Sequence, residues 1–316
     1  MDFRTTLNTN EIQKPKFLIE YQSNICLLGS CFVENIGQKL DYHRFQTLTN
    51  PYGILFQPLA IEKALQDIIY QKVYAKKDLI FDQGLWHSPH HHSNFSNPDS
   101  EIVLNQINQT ITQSADFLKK TSHVIITLGT AWVYHHIATD QLVANCHKIP
   151  QNLFVKRILS VDEMVKSLKQ SIQLLKEINP KIQILFTISP VRHLRDGMQN
   201  NAQSKAHLLT SVHQIVDFEN SFYFPSYEIL MDDLRDYRFY ERDRVHPNEE
   251  AVDYIWGLFR SIWIAPKTSE IMNEVAQIQR DLNHRPFHPQ SESHQKFLKN
   301  LEERKKELFE ISGILI

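Results

Sequence analysis

Apolar residues along this chain come in two alternating patterns. NICLL, residues 24 to 28, is a short apolar run that stops at Gly29, the profile of a strand buried on both faces. From Cys31 onward Phe32, Val33, Ile36 and Leu40 recur at helical spacing, so strand passes into helix with Gly29-Ser30-Cys31 as the corner. The alternation then repeats. Residues 59–71 and 101–120 predict helices, and 123–129 predicts a second buried strand. Ser160 and Glu163 form a capping box that opens a helix, and Pro180 closes it. Residues 181–190 predict a third strand, 220–225 a fourth, and SYEILMDDLRDY a short helix. Pro247, next to His246, reads as the first helical position of EEAVDYIWGLFRSIW.

Strands separated by helices imply a parallel sheet covered on both faces, because parallel neighbours need a crossover. Ligands of such sheets bind beyond the carboxyl ends of the strands. Here those ends are residues 29–31, 129–132 and 189–193. Residues 1–22 are polar and aperiodic. After residue 265 the pattern changes: Ile271, Val275, Ile278 and Leu282 form one helical stripe, and a breaker-rich link leads to a charged second helix. The division expected is a main domain, 1–265, and a helical appendage, 266–316, that packs on the main domain rather than reaching for a partner.

Composition narrows the function classes. In 316 residues, 34 Lys and Arg face 36 Asp and Glu, so no basic excess points to nucleic acid or an anionic membrane. No apolar run approaches the roughly 20 residues needed to span a bilayer. The amino terminus lacks the apolar core of a secretion signal, and three cysteines are an odd number, so reducing cytoplasm is the expected compartment.

Two local arrangements carry candidate chemistry. In LLGSCFVENIG a potential nucleophile, Ser30 or Cys31, stands where a helix begins, beside unpaired N–H groups and the positive dipole end. That setting is expected to lower a thiol pKa, or to form part of an oxyanion hole for a hydroxyl. Cys26, inside the strand, reads as inert. Farther on, Asp243 precedes His246 by three residues, which lets the carboxylate take one ring N–H and leaves the other nitrogen as a base. The alternative is an aspartate that only caps the next helix. His87, His90, His91 and His92 read as a polar loop near the site, with His91 or His92 supporting substrate, in preference to zinc ligands. Arg192, His193 and Arg195 either meet an anionic substrate group or anchor the acidic residues of SYEILMDDLRDY.

Together these elements resemble the SGNH (GDSL-type) hydrolase superfamily, and more closely the GSCFA family. GSCFV at 29–33 matches the family motif except at Val33. NPYGILFQP, TLGTAWVY, NCHKIP, SPVRHLRDG and YFPSYEILMDDLRDYRFY look like further blocks of it. The resemblance covers roughly residues 20–265 and implies a three-layer α/β/α sandwich with a parallel, flavodoxin-like sheet. It implies Cys31 as nucleophile, with Ser30 the other candidate, and Asp243 with His246 completing the triad. The Cys31 N–H and Gly53 would form the oxyanion hole. Gly129-Thr130-Ala131 lacks the family's asparagine, and Asn145 and His147 are the candidates to compensate. Ser30, Gly129, Thr130, His147, Arg192 and His193 are the expected substrate contacts. The activity implied is hydrolysis or transfer of an acyl group from a small-molecule ester or thioester, without cofactor or metal, the oligomeric state left open. The alternatives are a binding protein that has lost catalysis, a Ser30-dependent carbohydrate or lipid esterase, and a metalloprotein built on the histidine loop.

Overall fold

A computed structural model describes residues 11–316. Residues 1–10, which carry much of the expectation about the amino terminus, lie outside the described residues. The chain runs β1 (Asn24–Gly29), α1 (Cys31–Tyr42), β2 (Gln46–Thr49), α2 (Pro58–Ile69), β3 (Ile80–Asp82), β4 (Leu85–His87), α3 (Ser100–Leu118) and β5 (Thr121–Leu128). It continues with β6 (Trp132–His136), β7 (Gln141–Val143), β8 (Phe154–Ile158), α4 (Val161–Ile178), β9 (Gln183–Ile188), α5 (Met198–His213) and β10 (Ser221–Phe224). Last come α6 (Ser226–Glu228), which runs into one π-helical turn, α7 (Glu249–Trp263), α8 (Pro266–Leu282) and α9 (Glu292–Ser312).

The central sheet has strand order β10-β9-β5-β1-β2 and is parallel throughout, the flavodoxin-like order that the resemblance implies. Alternation along β1 sends Cys26 and Leu28 into a core with α2, α3, α4 and α5, and Ile25 and Leu27 into a second core with α1 and α7. The result is the expected three-layer α/β/α sandwich. Met272, Val275 and Ile278 of α8 are buried in the second core, whereas Leu282 is exposed, so the apolar stripe is rotated by a residue at its start and ends early. Arg304 of α9 pairs with Glu274 (2.8 Å) and Asp281 (2.6 Å) of α8. Among the described residues no helix is long and apolar enough to cross a membrane.

Short polar strands escaped the periodicity reading. β2, which pairs in parallel with β1 at the sheet edge, the β3–β4 hairpin, and the antiparallel β7-β6-β8 sheet inserted after β5 were all missed. Pro247 does not start α7: it bridges to Tyr240, and Asn248 caps the helix through its side chain. Ser160 and Glu163 do form the capping box of α4.

The histidine loop folds as a stack of rings. His91 is fully buried, its ring 4.0 Å from that of Tyr52, with Nδ1 paired to Ser88 Oγ at 2.7 Å. It is therefore out of reach of substrate, which leaves partly exposed His92 of the two histidines expected to support one. His147 Nε2 donates to Ser88 O (2.7 Å), its Nδ1 pairs with Ser93 Oγ (3.2 Å), and its ring stacks on His87 at 4.7 Å. Among the described residues no group of three or more His, Cys, Asp or Glu is placed to hold a metal ion.

Gly29 has φ +135°, and a Cβ there would meet Thr127 O at 2.1 Å, inside β5. Gly29→Ala should therefore destabilise the protein by about 3 kcal/mol or more. Exposed Gly257 of α7 has open space around it, so Gly257→Ala should stabilise by about 0.5–1 kcal/mol. Urea denaturation of the two variants checks both signs. A second expectation concerns acid. Burial holds His147 down to about 4 and pushes His91 down as well. The unfolded chain takes up these protons first, so stability is full near neutrality and is lost as pH falls from about 6.5 towards about 4. By about pH 5 His147 alone should remove about 2 kcal/mol. A denaturation midpoint that stays constant between about pH 7 and pH 5 would show these imidazoles to be solvated.

Candidate active site

Cys31 is the first residue of α1, directly beyond the carboxyl end of β1. The corner is held by main-chain bonds: Ser30 N–H to Thr127 O (3.0 Å) and Leu55 N–H to Gly29 O (3.0 Å). Ser30 takes the N-cap position yet makes no side-chain cap; it is buried, and its Oγ has no hydrogen-bond partner among the described residues. Cys31 is partly exposed. Of the two candidate nucleophiles, Cys31 is the more exposed residue. The N–H groups of Cys31 and Phe32 point at it, as helix geometry dictates. The thiol pKa is nevertheless raised, not lowered as expected: burial acts first and Glu34, one turn along, adds to it, while the two N–H groups and Lys205 oppose the rise. Burial alone carries Cys26 up to about 12.

The Asp243–His246 loop forms as its spacing predicts. Asp243 Oδ1 accepts the N–H of Val245 (2.8 Å) and of His246 (3.0 Å), and Oδ2 accepts His246 Nδ1–H at 2.7 Å. These bonds hold the carboxyl down at about 2, so it is an acceptor only and the ring proton resides on Nδ1. Nε2 makes no hydrogen bond among the described residues. Asp243 therefore does not serve as a helix cap, a task that falls to Asn248. Both side chains are 48% exposed, which weakens the pair's mutual hold. Glu241 N–H to His246 O (2.8 Å) closes the loop, and Arg192 N–H to Val245 O (3.3 Å) ties it to the segment after β9. No hydrogen bond joins His246 to the Cys31 sulfur among the described residues; Val245 and Cys31 pack on the same apolar core.

Three residues at the site escaped the sequence reading. Asn50, with φ +44°, accepts Gly29 N–H on Oδ1 (2.9 Å) and donates from Nδ2 to Glu34 (3.2 Å), clamping the corner from the β2 side. Ser204 takes Ala131 N–H at 2.7 Å and pairs with Thr130 Oγ1 at 3.1 Å. Lys205 is 1% exposed and donates to Gly129 O (2.9 Å) and Ser189 O (2.7 Å), at the ends of β5 and β9. No spacing signal marks these three, because their partners lie on other elements.

The expected oxyanion and substrate residues divide. Gly53 donates its N–H to Asn50 O at 2.7 Å, closing a turn, so that group is engaged and not free for an oxyanion; a Cβ on Gly53 would strike His92. Gly129 and Thr130 both give their N–H groups to Phe56 O (2.7 and 3.0 Å). Ala131 is fully buried where the asparagine was missing. A cleft of about 710 Å³, whose wall includes neither Cys31 nor Asp243 nor His246, gathers Thr130, Asn145, His147 and His193 with Phe56, Trp132, Tyr134, Phe154 and Arg195. Asn145 is tied within the wall, accepting His147 N–H (2.9 Å) and donating to Ser93 Oγ (3.4 Å). His193, edge-on to Phe56 at 5.2 Å, is held down to about 4, chiefly by burial and then by the charge of Lys205, and it also feels His246. It thus stands between the cleft and the Asp243–His246 loop. Arg192 is elsewhere: its guanidinium bonds Tyr240 Oη (2.9 Å) and lies over that ring at 4.5 Å, so it braces the loop, is absent from the wall of the cleft and makes no ion pair with the acidic helix among the described residues.

Among solved structures, a carbohydrate esterase of family 3 from Talaromyces cellulolyticus is similar at 10% identity and TM-score 0.35, covering 80% of this chain and 99% of that one. A mutant acetyl esterase with acetate ion is similar at 11% and 0.37, over 80% and 99%. A search among curated proteins found no match. The sequence matches the GSCFA family over residues 24–259 and the C-terminal domain of GSCFA domain proteins over residues 275–311. The chain belongs to the GSCFA family.

Proposed function

We propose that this protein is an SGNH-like hydrolase or acyltransferase that cleaves a small-molecule ester or thioester through an acyl-enzyme on Cys31, with His246 as base and Asp243 as its orienting carboxylate. The observation that carries this reading is the 2.7 Å bond from His246 Nδ1 to Asp243, which leaves Nε2 basic at the same end of the sheet as a partly exposed cysteine at a helix N-terminus. In the reaction, the Cys31 sulfhydryl proton passes to His246 Nε2 as sulfur attacks the carbonyl carbon. The imidazolium then returns that proton to the leaving oxygen or sulfur as its bond to carbon breaks, and a thioester remains on Cys31. Water or an acceptor alcohol or thiol, deprotonated by His246, attacks the thioester, and the Cys31 sulfur departs and is reprotonated. The reading requires His246 and the sulfur, which share no hydrogen bond among the described residues, to come together when substrate binds. The aromatic cleft with His193 and Arg195 on its wall would take the substrate.

Oxyanion stabilisation is sparse. The Cys31 N–H faces its own sulfur, the Gly53 N–H is held in a turn and Ala131 replaces an asparagine. A missing donor costs on the order of 3 kcal/mol at the tetrahedral stage. Activated acyl groups are therefore the better substrates. Thioesters should turn over faster than matched oxygen esters, measured as kcat/KM on a short-chain acyl pair. His246→Ala should lower kcat/KM by ~10²–10⁴-fold, Asp243→Ala by less because the pair is solvent-exposed, and Cys31→Ala should abolish acylation. Mass spectrometry after an activated acyl donor should find the adduct on the peptide bearing Cys31. Absence of any adduct there, with turnover indifferent to Cys31→Ala, would instead favour a binding protein that has lost catalysis.

A further inference from the structure

We propose that the cleft of about 710 Å³ is an anion site, in which Arg195 and Lys148 receive a phosphate or carboxylate carried by the substrate while the apolar part of that substrate lies against the aromatic wall. This deepens, and rests on, the reading of the cleft as the place where substrate binds. Its volume is that of a small-molecule site. Phe56, Trp132, Tyr134 and Phe154 supply apolar surface, and the charges around them are unevenly matched. Asp196 is the carboxylate of the wall, and it is already engaged: Lys156, whose ammonium lies 4.8 Å over the Trp132 ring, pairs with it. Arg195 and Lys148 are exposed, and neither makes an ion pair or a hydrogen bond among the described residues.

The titratable neighbours do not offset these two charges. Burial pushes the Cys146 thiol up to about 11 against the pull of Arg195, and burial holds His147 and His193 down to about 4. Near neutrality a protonated thiol and two uncharged imidazoles therefore share the wall with two unopposed cations. A cleft lined by one sign of charge between low-dielectric walls concentrates the opposite sign, so it selects an anion over a neutral molecule of the same shape. The donors are also held in place. Lys148 follows His147, whose ring is anchored to Ser88 O at 2.7 Å, and the two residues have left-handed backbone, φ +62° and +50° respectively. His193 gives its main-chain N–H to Asn201 Oδ1 (2.9 Å), while its ring nitrogens make no hydrogen bond among the described residues. A neutral imidazole N–H is thus available on the same wall as the cations, and Arg195 adds a planar fork that matches phosphate or carboxylate oxygens in pairs.

The test is calorimetric titration of the full chain with phenyl phosphate, benzoate and benzyl alcohol, which share a ring and differ in charge. At least one anion should bind about tenfold more tightly than benzyl alcohol, the tighter of the two naming the group, and its affinity should fall as salt is raised. Arg195→Gln and Lys148→Gln, both at exposed positions, should each weaken that anion by about tenfold and leave benzyl alcohol unchanged. Anions that bind no better than benzyl alcohol, or an anion affinity unmoved in the double variant, overturn the site. None of these titrations needs turnover. A protein that binds the anion and acylates nothing refutes the acyl-enzyme alone, and one that is acylated on Cys31 while binding neither anion refutes the anion site alone.

Discussion

The site depends on how closely β1 approaches β5 at Gly29. With no side chain there, the backbone of β1 comes within reach of Thr127 O, Ser30 N–H bonds that same carbonyl, and the chain is delivered into α1 with Cys31 at its first position. A Cβ at that point would stand 2.1 Å from the carbonyl oxygen, so the approach tolerates no other residue. Asn50 and Leu55 complete the clamp by bonding the N–H and carbonyl of Gly29. Everything later in the site is arranged around a corner set by backbone, not by side-chain packing.

Electrostatics at this corner are a balance, and the helix N-terminus does not win it. Two N–H groups and Lys205 favour the thiolate, while burial and Glu34 oppose it, and the thiol stays protonated in the free protein. This fits a nucleophile that ionises when substrate and base come together. Two further polar groups at this end of the sheet differ in setting: an exposed imidazole fixed by its own loop, and a buried lysine bonded to the ends of β5 and β9. Burial, and then the charge of Lys205, hold His193 down to about 4.

The cleft belongs to the insertion after β5 as much as to the parallel sheet. Trp132 and Tyr134 come from β6, Phe154 from β8, and Asn145 and His147 from the loop between β7 and β8, facing His193 and Arg195 beyond β9. Loops and added strands at the carboxyl edge thus shape what a shared scaffold can accept.

Local spacing was sufficient for the long buried strands, the capping box at Ser160, the helix entering at Cys31 and the Asp243–His246 bond, since each is closed by groups a few residues apart. It was insufficient for β2 and β6–β8, which are short, half-polar and stabilised by pairing with distant strands. It misjudged Pro247, drawn into a bridge with Tyr240, and Arg192, claimed by the same tyrosine. The sequence by itself determined the parallel α/β scaffold and which residues stand at its strand ends. Only the tertiary structure decided which N–H groups are engaged, that burial outweighs the helix dipole at Cys31, and that a lysine from α5 ties the ends of β5 and β9, because desolvation and through-space bonds depend on neighbours that chain order does not specify.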